Sequence, residues 1–218
     1  MSSRFDTQMS ERVYGYLTDQ ILSRELKPGD KIHEQEIAKV FETSRTPVRE
    51  ALRDLAKSGI INIYPNRYSE VAQFDDKQVK DVGLAKTILD RQNIRMAGYY
   101  GSRAEYSVLQ DHADRCYQAA KDGHTADRIR ADSDFHWKLA RIGKNSVLRD
   151  FMKILLIRVE YLQAARYLTA EDPESQYENH TKIVECLMSG DLDKAQQLVT
   201  EPNIRFYGLQ DVPPQIYL

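Results

Sequence analysis

The sequence predicts a mainly α protein in two parts. Residues 1–74 should form an N-terminal winged helix-turn-helix, and residues 75–218 an antiparallel all-helical bundle of about six helices. Three observations lead there. Three helix-period stretches come first, followed by two short β-prone runs around a turn. From Asp76 to about Gly208 no run alternates as strands do, and apolar residues recur at three- and four-residue spacing. The breaks between these later stretches are short, which joins antiparallel neighbours.

The first helix is expected from about Thr7 to Glu25, with Val13, Leu17, Ile21 and Leu22 inward. Pro28-Gly29 turns the chain into a short second helix, Glu34–Phe41, whose Ile37 and Phe41 should pack on the third. The third lies in Thr43–Ile61. There Val48, Ala51, Leu52 and Leu55 form one apolar stripe, while Arg45, Arg49 and Arg53 recur every fourth residue on another face. Ser44 or Thr46 can cap it and Pro47 fits its first turn; proline pushes its predecessor away from helical angles, which favours Thr46. A capped helix start beside arginines suits a phosphate, and its first turn is where a recognition helix reaches base edges. The arginine row alone is equally a solvated helix face. The context supplies the rest: Ile60–Ile63, the turn residues Tyr64-Pro65-Asn66-Arg67, and Ser69–Ala72 make a two-stranded wing.

The bundle reads helix by helix. Val82, Ala85, Leu89 and Met96 repeat along a first helix of about 25 residues that Asp75-Asp76 can cap, and this seam could serve the core or a partner. Tyr106, Leu109, Ala113, Cys116 and Ala120 mark the second, ended by Gly123. The third, about Thr125–Ile142, carries Ile129, Leu139 and Ile142. The fourth starts near Asn145 and carries Val147, Phe151, Leu155 and Leu162 up to a break at Glu171-Asp172-Pro173. Ile183, Val184 and Leu187 belong to the fifth, and Leu192, Ala195, Leu198 and Val199 to the sixth. Pro213-Pro214 marks an irregular tail.

Polar residues interrupt these stripes. Asp132 and His136 are one turn apart on the inward side of the third bundle helix, and His180 opens the inward stripe of the fifth. A buried carboxylate needs a partner or a metal. Two readings stay open: a divalent ion, Zn, Ni or Mn, held by Asp132, His136 and His180, or a hydrogen-bonded Asp–His–His cluster beside an organic ligand. Arg158, between Leu155 and Leu162, could hold a carboxylate in its fork or pair with a core acid.

Net charge is −2, with 41% hydrophobic and 29% charged residues, so a packed core is expected and a protein coated with basic charge is not. Around the third helix, however, Arg45, Arg49, Arg53, Lys57 and Arg67 face only Glu50 and Asp54, a small basic patch. Two distant cysteines, Cys116 and Cys186, read as reduced core thiols of a cytoplasmic protein. No apolar run approaches the ~18 residues of a membrane span. Neither CxxC, HExxH, a nucleotide-binding glycine loop nor a serine-nucleophile motif occurs, which counts against familiar enzyme classes.

LKPGDKI, EIA, SRTPVREALRDLAKSGI and YPNR, within residues 13–73, resemble the DNA-binding domain of GntR-family bacterial transcription regulators. Glu42-Thr43 and Tyr68 depart from the pattern, where the family has glycine and an aliphatic residue, then a glycine. DSDFHWKLARIGKN and ENHTKIVECLMSGDLDKA resemble the FCD effector-binding domain of the FadR subgroup, over about Asp76–Val199. The resemblance implies a homodimer on an inverted-repeat operator in double-stranded DNA, with Ser44, Arg45, Thr46, Arg49 and Arg67 at the DNA and Gln35 adding a contact. It implies a small organic effector, with Lys86 where the family carries an inward arginine. It also implies a metal set of Asp132, His136, His180 and a fourth histidine, at which position stands Pro202. The rival reading is a metal-dependent enzyme built on Asp132, His136 and His180.

Overall fold

The structure, a computed structural model, describes residues 4–65, 67–166 and 172–217. Asn66 of the wing turn and Glu171 of the expected break lie outside the described residues. The chain divides into two compact units, Met1–Phe74 and Asp75–Leu218.

In the first unit α1 spans Arg4–Leu22, α2 Glu34–Val40 and α3 Arg45–Lys57. Val13, Leu17, Ile21 and Leu22 of α1 are buried, as are Val48, Ala51, Leu52 and Leu55 of α3. Helix α1 ends at Leu22, three residues before the expected Glu25, and Arg24 turns left-handed at φ 66°. Phe41 meets the Tyr16 ring of α1 edge-on at 5.3 Å, where sequence placed it on α3. The wing pairs β2 (Ile61–Tyr64) with β3 (Tyr68–Val71) antiparallel, Ile61 opposite Val71 and Tyr64 opposite Tyr68. A further strand, β1 (Lys31–Ile32), joins the far edge of β3; two residues are too few to show alternation in sequence.

The second unit holds α4 (Asp76–Tyr100), α5 (Arg103–Lys121), α6 (Thr125–Ile142), α7 (Ser146–Ala165), α8 (Pro173–Ser189) and α9 (Leu192–Tyr207), then a 3-10 turn at Pro214–Ile216. Asp75 with Gln78, and Ser102 with Glu105, form capping boxes that start α4 and α5. Ile94, Leu109, Phe135, Leu139, Ile183 and Val199 make its apolar core. Helix α4 is rotated from the expected seam. Val79, Val82, Lys86, Asp90, Asn93 and Ala97 are buried, whereas Ala85, Leu89 and Met96 are only half-buried. A Cβ at Gly83 would overlap the Tyr207 side chain, so this glycine lets α9 lie close against α4.

A proline inside a helix tends to bend or stop it, yet α9 runs through Pro202 to Tyr207. Proline leaves the carbonyl four residues back without its helical donor. Here that carbonyl, Leu198 O, accepts a bond from Asn179 Nδ2 of α8 at 2.9 Å. Buried Asn203 and Tyr207 then anchor the final turn.

Glu42 adopts φ 49°, a left-handed conformation that favours glycine. Glu42→Gly, which restores the family's residue, should stabilise the first unit by about 0.5–1 kcal/mol, read as a higher unfolding midpoint in denaturant.

Candidate functional site

The α3 arginines stand clear of the core. Arg45, Arg49 and Arg53 are exposed, as are Gln35, Ser44, Thr46 and Arg67. The N-cap is Ser44, not Thr46, which lies inside the helix; the cap position needs extended angles, and Ser44 has them. The Ser44 side chain makes no capping bond and the first turn carries no acid. Its hydroxyl and the first-turn N–H groups are therefore open to an anion. Helix α2 orients two of the guanidinium groups: Arg49 Nε donates to Glu34 Oε2 at 2.7 Å, and Arg45 Nη2 to Gln35 Oε1 at 3.2 Å. These residues, Tyr64 and Arg67 line a concavity of about 550 Å³ between α2, α3 and the wing.

A second constellation sits inside the bundle, supplied by α4, α6, α7, α8 and α9. Lys86 and Asp90 are one turn apart on α4, with Lys86 Nζ 2.6 Å from Asp90 Oδ2. His136 of α6 brings Nδ1 to 3.0 Å from Asp90 Oδ1, and Lys86 Nζ lies 3.3 Å from His136 Nε2. Asn203 Nδ2 donates to Asp90 Oδ2 at 3.3 Å. Asp132 has its own partners: Gln163 Nε2 at 2.6 Å, Gln176 Nε2 at 2.8 Å and His180 Nε2 at 3.3 Å, with His136 Nε2 at 3.9 Å. The His180 ring stacks on Phe135 with centroids 4.0 Å apart.

The charges follow from this packing. Burial works to raise the Asp90 carboxyl, but His136 and Lys86 outweigh it and hold the group well below the usual carboxylate range. Asp132 is held low in the same way, with burial opposed by the His180 hydrogen bond and the nearby His136 and Lys86. His180 is lowered by burial, against the pull of Asp132. Lys86, Arg128, Asp132, His180 and Asn203 line a cavity of about 80 Å³, several times the ~10–15 Å³ that admits one water. Arg128 is buried and donates from Nη1 to Gln176 Oε1 at 3.2 Å; its Nη2 has no partner among the described residues. Gln163 Oε1 and His180 Nδ1 are likewise buried and unpartnered.

The sequence reading places Asp132, His136 and His180 in one core and Lys86 inward beside them, as the structure has them, but misplaces Arg158. Lys86 is 3% exposed, lines the cavity and is already paired with Asp90. Arg158 lies on the exposed side of α7, because the buried side there carries Met152, Leu156, Val159 and Leu162 while Leu155 is only half-buried. Val147 and Phe151, expected inward, are 60% and 57% exposed. Asp90, Arg128, Gln163, Gln176 and Asn203 went unnoticed. The four-residue spacing of Lys86 to Asp90, and of Arg128 to Asp132 to His136, was the available signal.

Cys116, Asp132 and His180 each offer a donor atom within 4.8 Å of the others, so this trio could hold a metal ion. It is not the set the resemblance implies. Burial, then the Asp132 charge, pushes the Cys116 thiol well above its usual range. Both Asp132 oxygens accept amide hydrogens, His136 turns to Asp90 and Lys86, and Pro202 carries no donor. The complete family set does not fit an ion here.

An arginine-bearing helix beside a wing, joined to a bundle with a polar cavity, defines a DNA-binding regulator with a ligand-sensing domain. Residues 9–71 match the family model of bacterial regulatory proteins, gntR family, and residues 84–201, more than half the chain, match the FCD domain. The chain belongs to the GntR family of transcription regulators and carries an FCD effector-binding domain. It is 24% identical over 193 residues to the transcriptional repressor RspR of Escherichia coli K12, covering 88% of this chain and 85% of RspR. It is 26% identical over 196 residues to a probable D-xylose utilization operon transcriptional repressor of Paenarthrobacter nicotinovorans, covering 89% and 85%. Among solved structures, E. coli McbR/YncC shares the fold with a TM-score of 0.76 at 20% identity, over 97% of this chain and 100% of that one. Nothing in these likenesses supports the rival metal-enzyme reading. Among the described residues no helix is long and apolar enough to cross a membrane.

Beside this core, burial pushes the half-buried Glu160 carboxyl of α7 up to about 7, with Asp134 and Asp132 adding to it and Ser133 and Arg130 opposing. A raised acid contributes stability below its unfolded value, lost as pH rises through the folded one. Glu160→Gln should therefore match wild type near pH 4 and exceed it by on the order of 2 kcal/mol at pH 8, read by thermal unfolding across that range.

Proposed function

We propose that the protein binds an inverted-repeat operator as a homodimer and that a small organic acid bearing hydroxyl groups, taken into the bundle cavity, changes its operator affinity. The observation that carries the effector reading is Arg128, a buried guanidinium with an unpartnered nitrogen in the cavity wall. A buried donor without a partner is costly, and a carboxylate completes it in a charge-assisted bond. Gln163 Oε1 and His180 Nδ1 stand ready as acceptors for ligand hydroxyls. Arg128 thus takes the role that sequence gave to Lys86 and Arg158. The effector acts by linkage: it shifts DNA affinity only by its differential affinity for two arrangements of the protein.

Arg45 and Arg49 are the base or phosphate contacts at the α3 start, with Ser44 and Thr46 on phosphates, Gln35 adding a contact from α2 and Arg67 at the wing. The second copy is supported by apolar side chains that the bundle leaves outside. Val147, Phe151 and Ile154 on α7, and Ile88 on the neighbouring α4, are 60%, 57%, 59% and 42% exposed. A divalent ion, Zn, Ni or Mn, is a second reading of the core, favoured by the Cys116, Asp132 and His180 spacing. Metal analysis of protein purified without chelator or affinity tag tests it; metal near one equivalent that falls in His180→Ala supports it.

A thermal-shift screen of hydroxy acids and sugar acids should find ligands that stabilise wild type by about 2.7 kcal/mol at 100 times Kd. Arg128→Ala should abolish the shift and Arg158→Ala should keep it; the reverse pattern contradicts the cavity. Arg45→Ala and Arg49→Ala should each weaken operator binding at fixed salt by roughly 1–3 kcal/mol. Phe151→Asp should yield monomer in sedimentation at micromolar concentration.

A further inference from the structure

We propose that the Lys86 ammonium is the resident cation of the bundle core, standing between Asp90 and His136 where a divalent ion would otherwise join these residues to Asp132, and that it removes His136 from any metal site the bundle holds. Four observations carry this. Lys86 Nζ is 2.6 Å from Asp90 Oδ2, 3.3 Å from His136 Nε2 and 3.5 Å from His136 Nδ1, so the ammonium faces a carboxylate and an imidazole together, as a liganded ion would. The Lys86 and Asp90 side chains are 4% and 0% exposed, so the charge is not a solvated one that happens to lean inward. His136 has the Asp90 carboxylate 3.0 Å from Nδ1, and the ammonium, 3.3 and 3.5 Å from its two ring nitrogens, stands over the ring beside Nε2. A divalent ion held on Nε2 would stand close against this positive charge and be repelled by it. Finally, the fourth position of the implied metal set is Pro202, and its neighbour Asn203 donates to Asp90 at 3.3 Å, completing the carboxylate's partners without metal.

An ammonium differs from a metal ion in being covalently fixed. It cannot be removed by chelators or exchanged, so this half of the core is charge-balanced whenever the chain is folded.

The test compares the full-length protein with variants, with and without ZnCl2, NiCl2 or MnCl2, by thermal unfolding. In wild type, His136→Gln should leave any ion response unchanged. Lys86→Ala opens the ammonium's space beside Asp90, His136 and Asp132. It should be less stable without ion and gain about 5–10 °C with ion at 100 times Kd. Adding His136→Gln to Lys86→Ala should abolish that gain. A wild-type ion response that is lost in His136→Gln overturns the proposal, and that arm does not depend on any Lys86 variant folding. So does a Lys86→Ala protein that gains nothing from ions, including one that does not fold with them.

Discussion

The bundle depends on a buried ion pair. Lys86 and Asp90 sit one helical turn apart on α4, out of water, and each is expensive there alone. Their mutual bond lets α4 present polar groups inward, and α6 and α9 close on that face through His136 and Asn203. Asp132 repeats the logic one layer away with Gln163 and Gln176 from α7 and α8. Five helices are thus fixed by hydrogen bonds to two carboxylates, and the cavity is what their side chains leave open. A core held by directional polar contacts tolerates fewer arrangements than one held by apolar packing alone.

Local features serve that arrangement. Gly83 brings Tyr207 close against α4, and Asn179 satisfies the carbonyl that Pro202 leaves behind. With both in place α9 stays helical far enough to deliver Asn203 to Asp90. In the first unit α2 supplies Glu34 and Gln35 to hold Arg49 and Arg45 ready. Such exposed pairs are weak, roughly 0.2–1 kcal/mol, so a phosphate or base edge can displace them.

How much of this the sequence revealed depended on how ordinary each element was. Helix α6 is legible to its ends from the glycines that flank it, Gly123 and Gly143, and the wing from its turn residues. The inward position of Asp132, His136 and His180 followed from helical phase. Helix α4 was misread because its buried side carries Lys86, Asp90 and Asn93, while half-exposed Leu89 and Met96 mimic a core stripe. Helix α7 was misread for the same reason: Val147, Phe151 and Ile154 are apolar yet exposed. Hydropathy reports burial only where the core is apolar and the surface polar. The pairing of Lys86 with Asp90 was visible as a spacing, but its burial depends on helices up to 113 residues away in sequence, as the Asn203 contact shows.

Lys86 and Asp90 stabilise the bundle as a pair. A double-mutant cycle with Lys86→Met and Asp90→Asn, read by urea unfolding of the full chain, tests it most directly. Each single change should cost about 3–5 kcal/mol by leaving one charge buried without its partner, and the double variant should recover most of that loss. Additive losses, with the double variant the least stable of all, would contradict the account.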